Sequence, residues 1–241
     1  MTDEALSHRT NELGRSGGSE LHRAMWTALF TIFCFALGLV YGREGNVLVA
    51  TALAALCCIV FAAAIGSLRG VNLSLRASQP PFDHQPLFRS RPLTQLLQGF
   101  GVGLALIGVT HLGYFAFLRF VPSVAQQASV LYGQLHASGS MLWTFPLLVG
   151  VVVVEEVVWR GVVFSALLRN RGRTAALCGA TVLYCMPQVF SGSWLLPLLA
   201  LLFGLMWTAQ RALGASLTSV VITHLVWDVG MFYVIPVAPP A

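Results

Sequence analysis

Seven apolar runs, at about residues 24–41, 46–68, 94–118, 141–168, 174–190, 194–210 and 215–235, constrain this chain more than any other feature. A helix rises about 1.5 Å per residue and a hydrocarbon core is about 30 Å thick, so runs of this length can cross a bilayer. Composition agrees: 56% of the 241 residues are hydrophobic and only 10% are charged, against about 25% charged in soluble domains. The expected fold is all-α, a polytopic transmembrane helical bundle of about seven spans. The fifth and sixth runs are short enough to be tilted or partly re-entrant.

Arginine placement orients the bundle. All fourteen basic residues are arginine. With the N-terminus inside, eleven of them (Arg9, Arg15, Arg23, Arg69, Arg76, Arg89, Arg91, Arg169, Arg171, Arg173 and Arg211) fall on the cytoplasmic side. Arg43 and Arg119 fall outside, and Arg160 falls within a span. The positive-inside tendency therefore predicts N-in, C-out. It also accounts for the net charge of +5 without invoking a nucleic acid. The arginine-only bias points to a GC-rich genome, hence to the inner (plasma) membrane of a bacterium.

The organisation reads in three parts. Residues 1–22 are polar, with Gly14, Gly17 and Gly18, and are expected to be a mobile tail without a secretory signal. Residues 23–93 are a two-span hairpin followed by a proline-rich cytoplasmic linker carrying Pro80, Pro81, Pro86 and Pro92. Residues 94–241 are a five-span core, in which the uncharged outer loop 121–140 can lie on the membrane surface. Gly99, Gly101 and Gly103 in the third span are expected to be close-packing positions. Trp143, Trp159, Trp194, Trp207 and Trp227 are expected to pack in the bundle or mark its interfaces. The five cysteines all sit in apolar runs and read as small apolar filler.

After Asp83 the only acids are Glu155, Glu156 and Asp228, and all three interrupt apolar runs. A charge at mid-bilayer is unfavourable by at least about 2.5 kcal/mol, so ionisable residues there point to function. Counting from the span ends places Glu155, Gln188, His224 and Asp228 at similar depth near the midplane. Glu156 and Arg160 are i,i+4 and can pair along one helix face, leaving Glu155, about 100° round, free to point elsewhere. His224 and Asp228 share a face in the same way, and a carboxylate one turn from an imidazole fixes its tautomer. Pro187 predicts a bend before Gln188. This set suits hydrolysis: a desolvated carboxylate takes a proton from water and returns it to a leaving amine, and the imidazole holds the water or the oxyanion.

These residues resemble the CAAX-protease and bacteriocin-processing (CPBP/Abi) family of intramembrane proteases over about residues 141–235. Glu155-Glu156-Val-Val-Trp-Arg160-Gly161 matches the family's Glu-Glu-x-x-x-Arg motif, and His224-Leu-Val-Trp-Asp228 matches its His-x-x-x-Asn/Asp motif. Arg211-Ala-Leu-Gly214-Ala-Ser216-Leu resembles the approach to that last motif. The second motif departs: Tyr184-Cys-Met-Pro-Gln188 stands where the family usually has Phe-x-x-x-His. Glutamine can donate and accept hydrogen bonds but cannot take a proton or become cationic. The resemblance implies an intramembrane endopeptidase acting on a membrane-associated protein or peptide. Glu155, Glu156, Arg160, Gln188, His224 and Asp228 are its implied site, and no cofactor is expected. A divalent metal is disfavoured, because Gln188 removes one implied ligand.

Two further readings stand beside this one. The Gln188 position also suits a catalytically inactive relative that acts as a membrane binding or immunity protein. Buried carboxylates and a histidine also build the proton relays of transporters, although no inverted repeat with paired broken helices is visible. His111, alone among aromatics in the third span, reads as a hydrogen-bonded structural histidine. Cys185, three residues before Gln188, lies near the site, which allows a thiol nucleophile with His224, but no sequence feature supports a lowered thiol pKa.

Overall fold

The computed structural model describes residues 3–69, 71, 92–137 and 139–237, with side chains from residue 18 onward. Every regular element among them is helical. The proline-rich linker lies outside the described residues up to Arg91, so Arg76, Asp83, Arg89 and three of the four linker prolines have no structural counterpart here. Pro92, the fourth, opens α3 (Pro92–Leu118), where a missing N–H removes nothing from the helix.

Helix α1 (Asp3–Gly42) begins well before its apolar run and takes in the residues expected to be a polar tail. Stretches such as Glu4-Ala-Leu are good helix formers, so the backbone of the membrane helix continues through them. After a short turn, α2 (Val47–Ala64) folds back along α1. Asn46 caps it, its side chain accepting from the Val49 N–H at 2.9 Å. A Cβ on Gly42 would lie 2.6 Å from the Val47 Cα, so this tight return needs glycine. At the other end the Thr27 hydroxyl donates to Ser67 Oγ at 2.8 Å, tying the exit of α2 to α1.

Five helical segments are long and apolar enough to cross a membrane: Gly18–Gly42, Val47–Ala64, Pro92–Leu118, Leu195–Ala212 and Leu217–Val234. The protein is therefore an integral membrane protein. Its outer surface carries large apolar side chains such as Trp26, Leu29, Phe33 and Val60, while Ala28, Thr27 and Thr31 face inward. That is the arrangement expected where the solvent is lipid and small residues let helices approach.

The fourth expected span, 141–168, is a helix that changes type. Helix α5 (Met141–Glu156) runs into a π-helical segment, Val157–Val163, and then into α6 (Phe164–Cys185). Gly172, at φ +82°, breaks α6 between its two halves and so separates the fourth and fifth expected spans. A 3-10 turn, Met186–Ser191, follows, with Pro187 in its first turn, and ends at Gly192 (φ +79°). The bend expected at Pro187 is this turn. Helix α7 (Leu195–Ala212) and helix α8 (Leu217–Val229) complete the bundle, α8 closing in a second π-helical segment, Gly230–Val234.

Residues 158–163 are all buried, which places the π segment toward the centre of the bundle. Half of the α8 span is buried but only 17% of the α3 span, which places α8 inside and α3 at the rim. Gly99 and Gly103 seat α3 on α8: a Cβ on Gly99 would lie 2.5 Å from the Ser219 carbonyl oxygen, and one on Gly103 2.7 Å from Val226 Cβ. Gly101 was expected to pack as well but faces open space. The close contact has a four-residue period, because residues i and i+4 share a helix face while i+2 points away from it. The Trp227 indole donates to Thr110 at 2.8 Å and reinforces the contact.

The loop expected at 121–140 is largely a helix, α4 (Ser123–Ala137). Val124, Ala128 and Tyr132 form its buried stripe, and the Tyr132 hydroxyl donates to the Met231 carbonyl at 2.8 Å. The Ser193 hydroxyl donates to Gln127 at 2.8 Å, so α4 also ties down the segment entering α7.

Candidate functional site

The site is built around the junction between α5 and the π segment. A π turn adds a residue to the helical repeat and re-aims the side chains on either side of it, and such turns often mark functional positions. Here it directly follows the two adjacent carboxylates.

Glu156 is fully buried and occupied twice. Its Oε1 accepts from Arg160 Nη1 at 3.0 Å and lies 2.8 Å from His224 Nδ1. The i,i+4 pair expected along one helix face is present, with both side chains inaccessible to solvent. Arg160 Nη2 donates onward to the Gly204 carbonyl at 3.1 Å, and its guanidinium lies 4.4 Å from the centre of the Tyr184 ring. Charge, hydrogen bond and cation–π contact together lock this arginine.

Glu155 points elsewhere, as its angular separation from Glu156 requires. Its one hydrogen bond comes from the Tyr184 hydroxyl to Oε2, at 3.4 Å. It keeps 7% exposure where Glu156 has 0%. The two neighbouring carboxylates thus differ: Glu156 is held through Oε1 by an arginine and an imidazole, with Oε2 buried and unpartnered, whereas Glu155 has one long hydrogen bond and some access.

His224 stands between acids. Nδ1 faces Glu156, and Nε2 lies 3.6 Å from Asp228 Oδ1, the partner expected from the i,i+4 spacing. With a carboxylate at each nitrogen, the imidazole donates Nδ1–H to Glu156 and presents Nε2–H toward Asp228 and the interior. The imidazole is stacked on Trp207, with centroids 3.6 Å apart and planes 23° off parallel. Trp207 meets Tyr184 edge-on at 6.2 Å. Through these contacts the α5–π helix, α6 and α8 bring Glu155, Glu156, Arg160, Tyr184, His224 and Asp228 into one place.

Gln188 is buried in the 3-10 turn, one turn beyond Tyr184. Among the described residues no hydrogen bond joins it to Glu155, Glu156, His224 or Asp228. His111 bonds the Ile107 carbonyl of its own helix at 2.9 Å, as a structural histidine would. The Cys185 thiol donates to the Pro197 carbonyl at 3.2 Å, across to the first turn of α7. No three His, Cys, Asp or Glu side chains among the described residues are grouped as a metal site would require.

Three residues of this arrangement are absent from the set expected from sequence: Tyr184, Gly204 and Trp207. A Cβ on Gly204 would lie 2.7 Å from Tyr184 Cδ1, so this glycine admits both the tyrosine ring and the arginine that bonds its carbonyl. For Tyr184 the signal was its place at the head of Tyr184-Cys-Met-Pro-Gln188; for the other two it was the i,i+3 pairing of a lone glycine with tryptophan in α7. Such a pairing is common in helix packing and carries no chemistry by itself.

Compared with curated proteins and with solved structures, the chain has no significant match in either. Residues 137–230 match the family model described as Type II CAAX prenyl endopeptidase Rce1-like. The matched segment contains both complete motifs and every candidate site residue from Glu155 to Asp228. Over this segment, which carries the buried carboxylates and histidine, the chain is similar to a family of proteases, the type II CAAX prenyl endopeptidases.

Proposed function

We propose that the protein is an intramembrane endopeptidase in which Glu155 activates water against a peptide bond of a membrane-associated protein or peptide. The observation that carries this reading is the unequal state of the two glutamates. Glu156 is engaged by Arg160 and His224, while Glu155 has one hydroxyl partner and residual access. Glu155 takes a proton from water as the oxygen attacks the carbonyl carbon, then passes it to the departing amine as the C–N bond breaks. His224, oriented by Glu156 and seated on Trp207, faces the developing oxyanion with Nε2, and Asp228 balances its charge. Tyr184 holds Glu155 from the side and supplies an ordered donor in a site where Gln188 replaces the family's histidine. Arg160 holds Glu156 in place.

The bundle has seven spans with the N-terminus in the cytoplasm of a bacterium; the arginine distribution and the length of each apolar run support this. No metal takes part in the reaction as proposed.

The test is cleavage of transmembrane peptides by the full chain in liposomes. Activity abolished by Glu155→Gln and strongly reduced by His224→Ala supports the proposal; retention of activity in Glu155→Gln overturns it. One observation favours a second reading, a non-catalytic binding protein: Gln188 makes no hydrogen bond to the four acid and imidazole groups. Peptide capture without cleavage, converted to cleavage by Gln188→His, identifies that case.

A further inference from the structure

At one end of the bundle, where α1 enters its apolar run, the chain leaves α2 and α6 leaves the core, three arginines from three segments line a single cleft: Arg23, Arg69 and Arg169. One carboxylate, Glu20, is present among the lining residues, and it is engaged by Arg169, whose Nε donates to Glu20 Oε2 at 3.1 Å. Arg23 and Arg69 have no carboxylate partner among the described residues. Arg23 Nε is buried and has no hydrogen-bond acceptor, a state that is unfavourable for a guanidinium donor. The cleft is shaped to keep these groups together. Gly66, at φ +72°, turns the chain after α2 so that the Arg69 side chain folds across it, and Ser67 bonds the Arg23 carbonyl at 3.2 Å.

The cleft lies at headgroup depth. The apolar span of α1 begins at Gly18, α2 ends at Ala64, and the apolar run through the π segment ends at Leu168, one residue before Arg169. Two unpaired guanidinium groups and a third held nearby match the several acceptor oxygens of a phosphoryl group. Basic pockets between membrane helices at this level suit anionic lipid headgroups. We propose that this cleft binds a phosphoryl anion, presented by the headgroup of an anionic phospholipid. Gly161, in the π segment next to Arg160, forms part of its floor, so an occupant braces the outer side of the segment that carries the paired carboxylates. The proposal stands independently of any hydrolytic activity.

The test uses the full chain in neutral detergent, with native mass spectrometry and thermal unfolding in phosphatidylglycerol, phosphatidylcholine or inorganic phosphate. Phosphatidylglycerol is expected to remain bound and to raise the unfolding temperature, and phosphatidylcholine to do neither. Each of Arg23→Gln and Arg69→Gln should weaken retention about fivefold, the worth of one arginine at a charged lipid surface. The exposed Arg173→Gln on the same end should leave it unchanged. Arg69 is exposed, so its variant folds even if Arg23→Gln does not. Equal protection by inorganic phosphate would assign the anion to a free source, and protection by the lipid alone to a headgroup. Indistinguishable responses to the two lipids, or equal losses from Arg69→Gln and Arg173→Gln, overturn the proposal.

Discussion

Glu155 and Glu156 are adjacent, chemically identical and placed in opposite circumstances, so replacing them one at a time separates chemistry from architecture. Glu156 neutralises a fully buried Arg160 and bonds His224. Its replacement by leucine strands a guanidinium that has no access to water, and breaking a buried pair from one side is unfavourable by about 3–5 kcal/mol. Glu156→Gln is gentler. It keeps the shape and one acceptor oxygen but removes the carboxylate charge from both of its hydrogen bonds and leaves Arg160 facing a neutral amide, a loss of about 1.5–3 kcal/mol. Glu155→Gln loses little, because its contact is a long hydrogen bond from Tyr184 that an amide oxygen can still accept; the expected change in stability is below about 1 kcal/mol. Turnover should respond in the opposite sense, Glu155→Gln lowering it by about 10²–10⁴-fold, the range for a general acid–base group. Denaturant unfolding in mixed micelles, run beside cleavage of a transmembrane peptide in liposomes, measures both quantities on the same preparations. The double variant Glu156→Leu/Arg160→Met should unfold less readily than Glu156→Leu alone, since it removes the stranded charge. Equal stability losses in the two glutamine variants would refute the division of labour. So would turnover that survives Glu155→Gln while a folded Glu156→Gln is dead.

Other perturbations follow from the same geometry. Tyr184→Phe removes one hydroxyl and leaves the ring against Gly204, Arg160 and Trp207. A hydrogen bond is worth about 0.5–1.5 kcal/mol net, so single-turnover cleavage should fall about two- to tenfold while the unfolding midpoint moves little; an unchanged rate removes Tyr184 from the site. Trp207→Leu takes away the surface on which His224 stacks and should lower the cleavage rate more than substrate affinity, which a separation of kcat from KM will read. Gly99→Ala places a methyl group 2.5 Å from the Ser219 carbonyl oxygen and should destabilise the bundle by about 1–3 kcal/mol as an overpacked contact. Gly101→Ala, facing open space, should be neutral or slightly stabilising in the same unfolding assay.

The membrane class, the helical fold and the identity of the buried acids are legible in the sequence because each rests on short-range rules. Apolar run length reports bilayer crossing, and an acid within such a run is conspicuous wherever the helix ends up. The i,i+4 spacings foretold Glu156–Arg160 and His224 beside Asp228, since one helical turn is a local geometry. Tertiary packing decided the rest. It turned Glu156, not Asp228, to face His224 Nδ1 across 68 residues of chain. It put Trp207 under the imidazole, and Tyr184 became the partner of Glu155. Whether Gly101 or Gly103 meets α8 depended on the rotation of α3 about its own axis, which no periodicity within α3 specifies. The π turn after Glu156 belongs to this second group too: Val-Val-Trp-Arg-Gly is compatible with an α-helix, and the change of helix type comes with an Arg160 held at once by Glu156, Gly204 and Tyr184.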